Sequence, residues 1–275
     1  MKALYLVLIS VSILSCRETY DKNVNKDTTH ETKHSEEIKK HNLEWTYEGE
    51  NGPEHWVEIE KQSTCNGFAQ SPINIIDVDV ENDASSQPVS IHYSQNVKIH
   101  ELTNDGHSIQ YVFEKGDYIV LADKKYDLKQ IHFHEPAEHT INGIRYPLEM
   151  HMVHLDANNN IAVLAVLAME GKSSEPFTFL EQYLPVYKGE TKIIDANFDL
   201  NQNLPTNKAY YTYSGSLTTP PCTENVTWIV YKNPITVSVD QVRQLQDLMP
   251  LNNYRGEQPV NGRIVKQVTF DKVSS

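Results

Sequence analysis

The chain has 275 residues, 39% hydrophobic and 22% charged, with a formal net charge of −13. That is ordinary soluble composition and enough chain to bury one large core. Such an acidic surface repels nucleic acid and anionic membrane, so neither is expected as a partner, and any anion site has to be made locally.

Lys2 precedes an apolar run from Ala3 to Leu14. At about twelve residues it is short of the roughly 20 that a membrane-spanning helix needs, and it fits an export signal. It ends Ile13-Leu14-Ser15-Cys16, which resembles a bacterial lipobox, whose cysteine is lipidated. An ordinary signal with an incidental cysteine is the other reading. Residues 1–15 are therefore expected to be a signal peptide of the lipoprotein type. The mature protein would be exported, periplasmic or held at the outer membrane through Cys16. Residues 16–41 are polar and highly charged, too poor in apolar side chains to fold, and read as a tether. His30, His34 and His41 fall there and read as solvated spacer residues. With Cys16 acylated, Cys65 and Cys222 remain. In an exported protein a bridge between them is expected, with two unpaired thiols as the alternative.

Residues 42–275 read as one domain without repeats or linkers. Strand signals dominate: 108–114, 126–134 and 148–154 alternate, while 161–169 and 226–231 are nearly continuous apolar runs, as in strands covered on both faces. Asn104-Asp105-Gly106, Lys115-Gly116-Asp117, Asn142-Gly143 and 156–160 mark turns between them. Helix signals are few. Ser173-Ser174-Glu175-Pro176 opens one, and Ser238 followed three residues on by Gln241 opens another, through about Leu248. The expected fold is β-dominated (α+β): a single domain around a large, mostly antiparallel, twisted central sheet, with a few short peripheral helices.

The chemistry concentrates in two of these strands. His132 and His134 are two apart, so their side chains share a face, and a neighbouring strand can bring His151 to the same point. Three imidazoles with one open position form the donor set of a catalytic zinc, whereas a structural site would need a fourth protein ligand. His134-Glu135-Pro136-Ala137-Glu138 starts like the metalloprotease pattern His-Glu-x-x-His, but its fifth residue is Glu138 and Pro136 spoils the helix that pattern requires.

Several motifs then occur in a specific order. They are Gly67-Phe68-Ala69-Gln70-Ser71-Pro72-Ile73-Asn74-Ile75, Gln130-Ile131-His132-Phe133-His134, Glu138-His139-Thr140, and Glu149-Met150-His151-Met152-Val153-His154. Ala162-Val163-Leu164, Ser216-Leu217-Thr218-Thr219-Pro220-Pro221 and Trp228-Ile229-Val230 follow. From about Trp45 to Phe270 the chain resembles the α-class carbonic anhydrases in their bacterial, exported form, themselves the standard example of a three-histidine zinc site.

That resemblance implies reversible hydration of carbon dioxide to bicarbonate and a proton, by attack of zinc-bound hydroxide. His132, His134 and His151 would hold Zn2+, with Gln130 and Glu149 fixing their tautomers. Thr218 would orient the hydroxide and pass its own proton toward Glu138. Val153, Val163, Leu217 and Trp228 would form the apolar wall for carbon dioxide. Tyr47, Gln110 and Thr219 would form the polar, water-ordering side. His107 would shuttle the proton, its ordinary pKa suiting that task. Asp105, where many members carry Asn, is expected to raise the His107 pKa. His139 and His154 read as structural, and a homodimer is implied by resemblance only. Two rival functions are a catalytically weak carbonic-anhydrase-like binding module and an incidental zinc esterase. The intact ligand set argues against the first, and the lack of a larger acyl pocket against the second.

Overall fold

The computed structural model describes residues 44–59, 63–84 and 87–269. The expected signal over 1–15, the lipidated Cys16 and the tether over 16–41 lie outside the described residues. Among the described residues, no helix is long and apolar enough to cross a membrane.

The alternating segments become strands. In chain order the principal ones are β1 Val97–Asn104, β2 Ile109–Phe113, β3 Lys124–His134, β4 Leu148–Leu155, β5 Ile161–Glu170, β6 Thr191–Phe198, β7 Tyr210–Ser216, β8 Glu224–Tyr231 and β9 Lys266–Val268. They lie in one thirteen-stranded sheet, ordered β6-β1-β2-β3-β4-β5-β8-β7-β9, with the short strand Glu81–Asn82 beyond β9. Every neighbour among the nine is antiparallel except β5 against β8. β1, β6, β7 and β9 were not signalled by the sequence, and the first two illustrate why. They pair at the edge of the sheet, where Ile193 is 71% exposed, and each carries a register irregularity that interrupts the alternation.

The two apolar runs, β5 and β8, are covered on both faces as expected. On β5, Ala162, Leu164, Val166 and Ala168 join one core with Phe133, Met150 and Met152. Val163, Ala165 and Leu167 point the other way and join Trp228 and Val230. A period of two therefore divides one strand between two cores. The helices are short: α1 Trp56–Ile59, α2 Glu175–Glu181 and α3 Val239–Gln246. α3 starts as its sequence predicts. Ser238 Oγ accepts the Gln241 N–H and Gln241 Oε1 accepts the Ser238 N–H, satisfying two donors that a helix start leaves free. α2 begins after Ser174 with Pro176 in its first turn, although the Ser174 side chain makes no cap.

Cys65 and Cys222 are bridged. Around the bridge, Thr64 donates its N–H to Pro221 O and its hydroxyl to Cys222 O, both at 2.8 Å. Arg255 donates to Cys65 O at 2.6 Å. These contacts fasten the loop after β7 to the N-terminal segment, where Tyr47 and Trp56 pack on the cystine. A cross-link between residues 157 apart restricts the unfolded chain strongly. Such bridges typically contribute about 2–4 kcal/mol. One kcal/mol moves Tm by roughly 2–4 °C in a domain of this size. Full reduction should therefore lower Tm by roughly 5–15 °C in scanning calorimetry, and an unchanged Tm would show that the bridge adds no stability.

Candidate metal centre

Strand register builds the site. His132 and His134 share the face of β3 opposite to Ile131 and Phe133, which are buried in the core. β4 runs antiparallel beside it and sets His151 opposite His132 and Glu149 opposite His134. Gln110 of β2 lies across from His132 on the other side. The three imidazoles meet with ring centroids 4.6 to 5.0 Å apart.

The outer nitrogen of each ring is held by an oxygen. His132 Nδ1 faces Gln130 Oε1 at 3.0 Å, His134 Nδ1 faces the Asn253 carbonyl at 2.6 Å, and His151 Nε2 faces Glu149 Oε1 at 2.7 Å. These oxygens only accept, so the outer nitrogens carry the protons. The inner nitrogens, Nε2, Nε2 and Nδ1, then present lone pairs to one point, all within 4.8 Å of one another. His151 Nδ1 and His132 Nε2 stand 3.2 Å apart with no proton left to share. His134 Nε2 is buried without a hydrogen-bond partner among the described residues. Burial, helped by neighbouring imidazoles, pushes all three pKa values down, so the rings are neutral. Lone pairs so arranged repel one another, and a cation between them turns repulsion into bonding. Zn–N bonds of about 2.0–2.1 Å in a tetrahedron imply nitrogens about 3.3 Å apart, close to the observed pair. The residues therefore fit zinc.

Glu149 is the anchor behind this arrangement. Its Oε1 accepts from both His151 and His139 at 2.7 Å, and its Oε2 accepts the N–H groups of Glu138 and His139 at 2.8 Å. Burial alone would raise its pKa, but His139 and His151 hold it well below the usual carboxylate range. The chain of contacts continues. His139 Nε2 meets Tyr213 OH at 2.7 Å, Tyr213 OH meets Ser71 Oγ at 2.9 Å, and Ser71 Oγ accepts the Ser216 N–H at 3.0 Å. Gly215 makes room for it: a Cβ there would stand 2.1 Å from Ser71 Oγ. His139, read as structural, thus links a ring of the metal triad to the loop that carries Thr218.

Beside the triad sit Glu138 and Thr218, both buried. Glu138 Oε1 accepts the Arg255 N–H at 2.9 Å, and Oε2 lies 3.6 Å from His134 Nε2. Burial raises the Glu138 carboxyl to about 7, while the Arg255 N–H and the Thr218 hydroxyl work against the rise. The apolar side follows from register. Val153 pairs with Val163, and Val163 with Trp228, one step along the same face from His151. Leu217 packs against this group, and the Trp228 ring lies 4.9 Å from that of His151. Trp228 Nε1 also holds Ser216 O at 3.0 Å, and Cys222 N–H closes a turn onto Thr219 O at 2.8 Å. On the polar side, the Tyr47 hydroxyl is buried without a hydrogen-bond partner among the described residues, and Gln110 Nε2 donates to Asp105 Oδ2 at 2.6 Å. His154 lies on the opposite face of β4, against Tyr93 OH at 2.7 Å, away from the triad.

His107 stacks on Trp45, centroids 3.6 Å apart and planes 13° from parallel. Burial lowers its pKa. Asp105 pulls upward on it, as expected, and so does Glu44, but the net change is downward. Asp105 is largely occupied in shaping the turn: its Oδ1 accepts the N–H groups of His107 and Ser108 at 2.8 Å. The sequence also gave no sign of Asn253, which acts through its backbone carbonyl, or of Arg255, which is buried across from Gln70. A cavity of about 750 Å³ beside Glu54, His55 and Glu257 includes none of the three histidines. Donor chemistry, not volume, picks out the site.

A family model described as eukaryotic-type carbonic anhydrase matches residues 51–269. A carbonic anhydrase of Klebsiella pneumoniae is 41% identical over 225 residues, spanning 80% of this chain and 89% of that protein. Among solved structures, the α-carbonic anhydrase of Thermovibrio ammonificans in complex with the inhibitor sulfanilamide has a TM-score of 0.77 at 42% identity, covering 81% of this chain and 98% of that one. Dioscorin complexed with ascorbate has a TM-score of 0.76 at 32% identity, covering 84% and 100%.

Metal analysis of the purified protein should find about one zinc per chain, and His132→Ala should lose most of it. Gln130→Ala should keep the ligands but weaken zinc binding roughly tenfold or more, because the His132 ring loses its orienting acceptor. Full zinc occupancy in His132→Ala would place the metal elsewhere.

Proposed function

Because the chain belongs to the eukaryotic-type carbonic anhydrase family, we propose that it interconverts carbon dioxide and bicarbonate at a zinc ion held by His132, His134 and His151. The observation that carries this reading is the convergence of three neutral imidazole nitrogens whose protons are all turned outward. Zinc bound there would supply hydroxide at neutral pH by lowering the pKa of water to about 7, the value known for carbonic anhydrases.

The protein's own residues direct that chemistry. Thr218 would turn its hydroxyl proton toward the buried Glu138 carboxylate, leaving Thr218 Oγ1 as an acceptor that fixes the direction of attack. Arg255 N–H holds Glu138 in the orientation this requires. Val153, Val163, Leu217 and Trp228 give carbon dioxide an apolar resting place, suited to a small nonpolar molecule. Thr219, Tyr47 and Gln110 line the polar side. His107 carries the product proton to solvent. Export as a periplasmic protein or a lipoprotein anchored through Cys16 is supported by the Cys65–Cys222 bridge, since disulfides persist outside the cytoplasm. The complete donor set, with Glu138 and Thr218 beside it, weighs against a binding module without catalysis.

Stopped-flow hydration assays on zinc-loaded and chelated protein test the reading. Activity should vanish with the metal and return on adding zinc; full activity after chelation overturns it. Thr218→Val keeps the shape and removes the hydroxyl. Zinc content should stay unchanged while kcat/KM falls roughly 100-fold, the scale of a lost orienting contact. Unchanged kcat/KM with zinc bound would remove Thr218 from the chemistry.

A further inference from the structure

Glu44 stands at the rim of the site, directly before the ring on which His107 stacks. Its Oε1 lies 3.9 Å from His107 Nε2 and 3.7 Å from Lys188 Nζ. One carboxylate oxygen therefore faces two groups that can be cationic. The exposures differ: Glu44 and Lys188 side chains are 64% and 67% exposed, and that of His107 is 15% exposed. The Lys188 stem lies over Gly106, where an added Cβ would stand 2.6 Å from Lys188 Cε. Other groups face His107 as well. Asp105 lies in its own turn, the Tyr47 ring is 6.4 Å away, and Asp247 lines the same 350 Å³ cavity as His107, Trp45 and Lys188.

We propose that Glu44 is a positioning residue for proton export: its carboxylate faces the His107 imidazole at the rim and favours its protonated form, and Lys188 weakens that effect by sharing the same oxygen. The inference rests on His107 being the shuttle. Glu44 does not itself relay the proton. His107 takes it from the cavity water and gives it to buffer, and the nearby carboxylate makes the imidazolium less unfavourable while the proton is in transit. Burial against Trp45 works the other way. A shuttle transfers best when its pKa lies near the working pH. Glu44 thus offsets part of what stacking takes away.

The signs are opposite for the two partners. Glu44→Gln removes a negative charge and should lower the His107 pKa. Lys188→Met removes a positive charge and should raise it. Exposed charge pairs at this spacing shift a titration by roughly 0.2–0.7 units. The test is an NMR titration of the His107 ring in zinc-loaded full-length protein, with His107→Ala for assignment, alongside kcat in weak and strong buffer. Glu44→Gln should lower the His107 pKa by roughly 0.3 units or more and reduce kcat in weak buffer about twofold, with kcat/KM unchanged. Lys188→Met should move the titration upward. Both shifts should shrink in about 1 M salt, where screening acts within about 3 Å. If Glu44→Gln leaves the titration and weak-buffer kcat where they were, while His107→Ala still loses rate, Glu44 has no such role and the shuttle reading stands. If His107→Ala keeps full rate in weak buffer, the shuttle reading falls and takes this proposal with it.

Discussion

The constraint behind this structure is that three neutral imidazoles must turn unprotonated nitrogens toward one buried point. Bringing them together costs desolvation and lone-pair repulsion, and both push the ring pKa values down. Each ring therefore needs an acceptor for its outward N–H, or a buried donor is left unpaired. The sheet meets that need with three different oxygens: an amide from Gln130, a backbone carbonyl from Asn253 and a carboxylate from Glu149. Two of the three come from strands that also carry the histidines, so one register places rings and acceptors together. A slip by one residue on β4 would turn His151 and Glu149 into the hydrophobic core and bring Met150 and Met152 to the site.

The two buried glutamates of the site show how environment divides similar groups. Glu149 accepts four N–H contacts and stays charged despite complete burial. Glu138 accepts the Arg255 N–H and the pull of a hydroxyl, and burial carries its pKa upward. The first is therefore a fixed anchor for imidazoles. The second is poised to respond to a hydroxyl proton brought near it, which is the task an orienting partner of Thr218 has to perform. The disulfide and the Trp228 indole secure both ends of the loop that carries Thr218, so the hydroxyl has a defined place relative to Glu138.

Much of this was legible in the sequence because period-two alternation and His-x-His spacing report directly on which side chains share a face. The strands that bear His132, His134 and His151 were marked this way, and so were the capped helix at Ser238 and the doubly buried β5. What escaped shares a physical cause. Asn253 serves through its backbone carbonyl, which any residue could offer, from 119 positions beyond His134. Tyr213 and Ser71 join the Glu149 contacts through hydroxyl groups on strands and loops 142 positions apart. β1 and the edge strand β6 each carry a register irregularity, at Ile99/Glu101 and Ile193/Ala196, which shifts the alternation partway along. The upward pull of Asp105 on the His107 pKa was legible because the sequence displays charge, but the burial against Trp45 that outweighs it was not.

This difference between what is buried and what is exposed also divides the labour of the site. Inside, distances near 2.7 Å and nearly complete burial fix one arrangement of rings, carboxylates and loop, and a change there alters whether the chemistry occurs at all. At the rim, contacts of 3.7 and 3.9 Å between exposed charges leave the arrangement soft and open to salt. In the proposed reaction the attack on carbon dioxide would need the rigid part, because direction is what a fixed hydroxyl and fixed lone pairs would provide. If His107 is the shuttle, proton exit needs the soft part, since a group that must both accept and release a proton cannot be held in one protonation state as firmly as Glu149 is. Rate and pH response can then vary through rim residues such as Glu44 and Lys188 without disturbing the metal centre, which the register of the sheet has already settled.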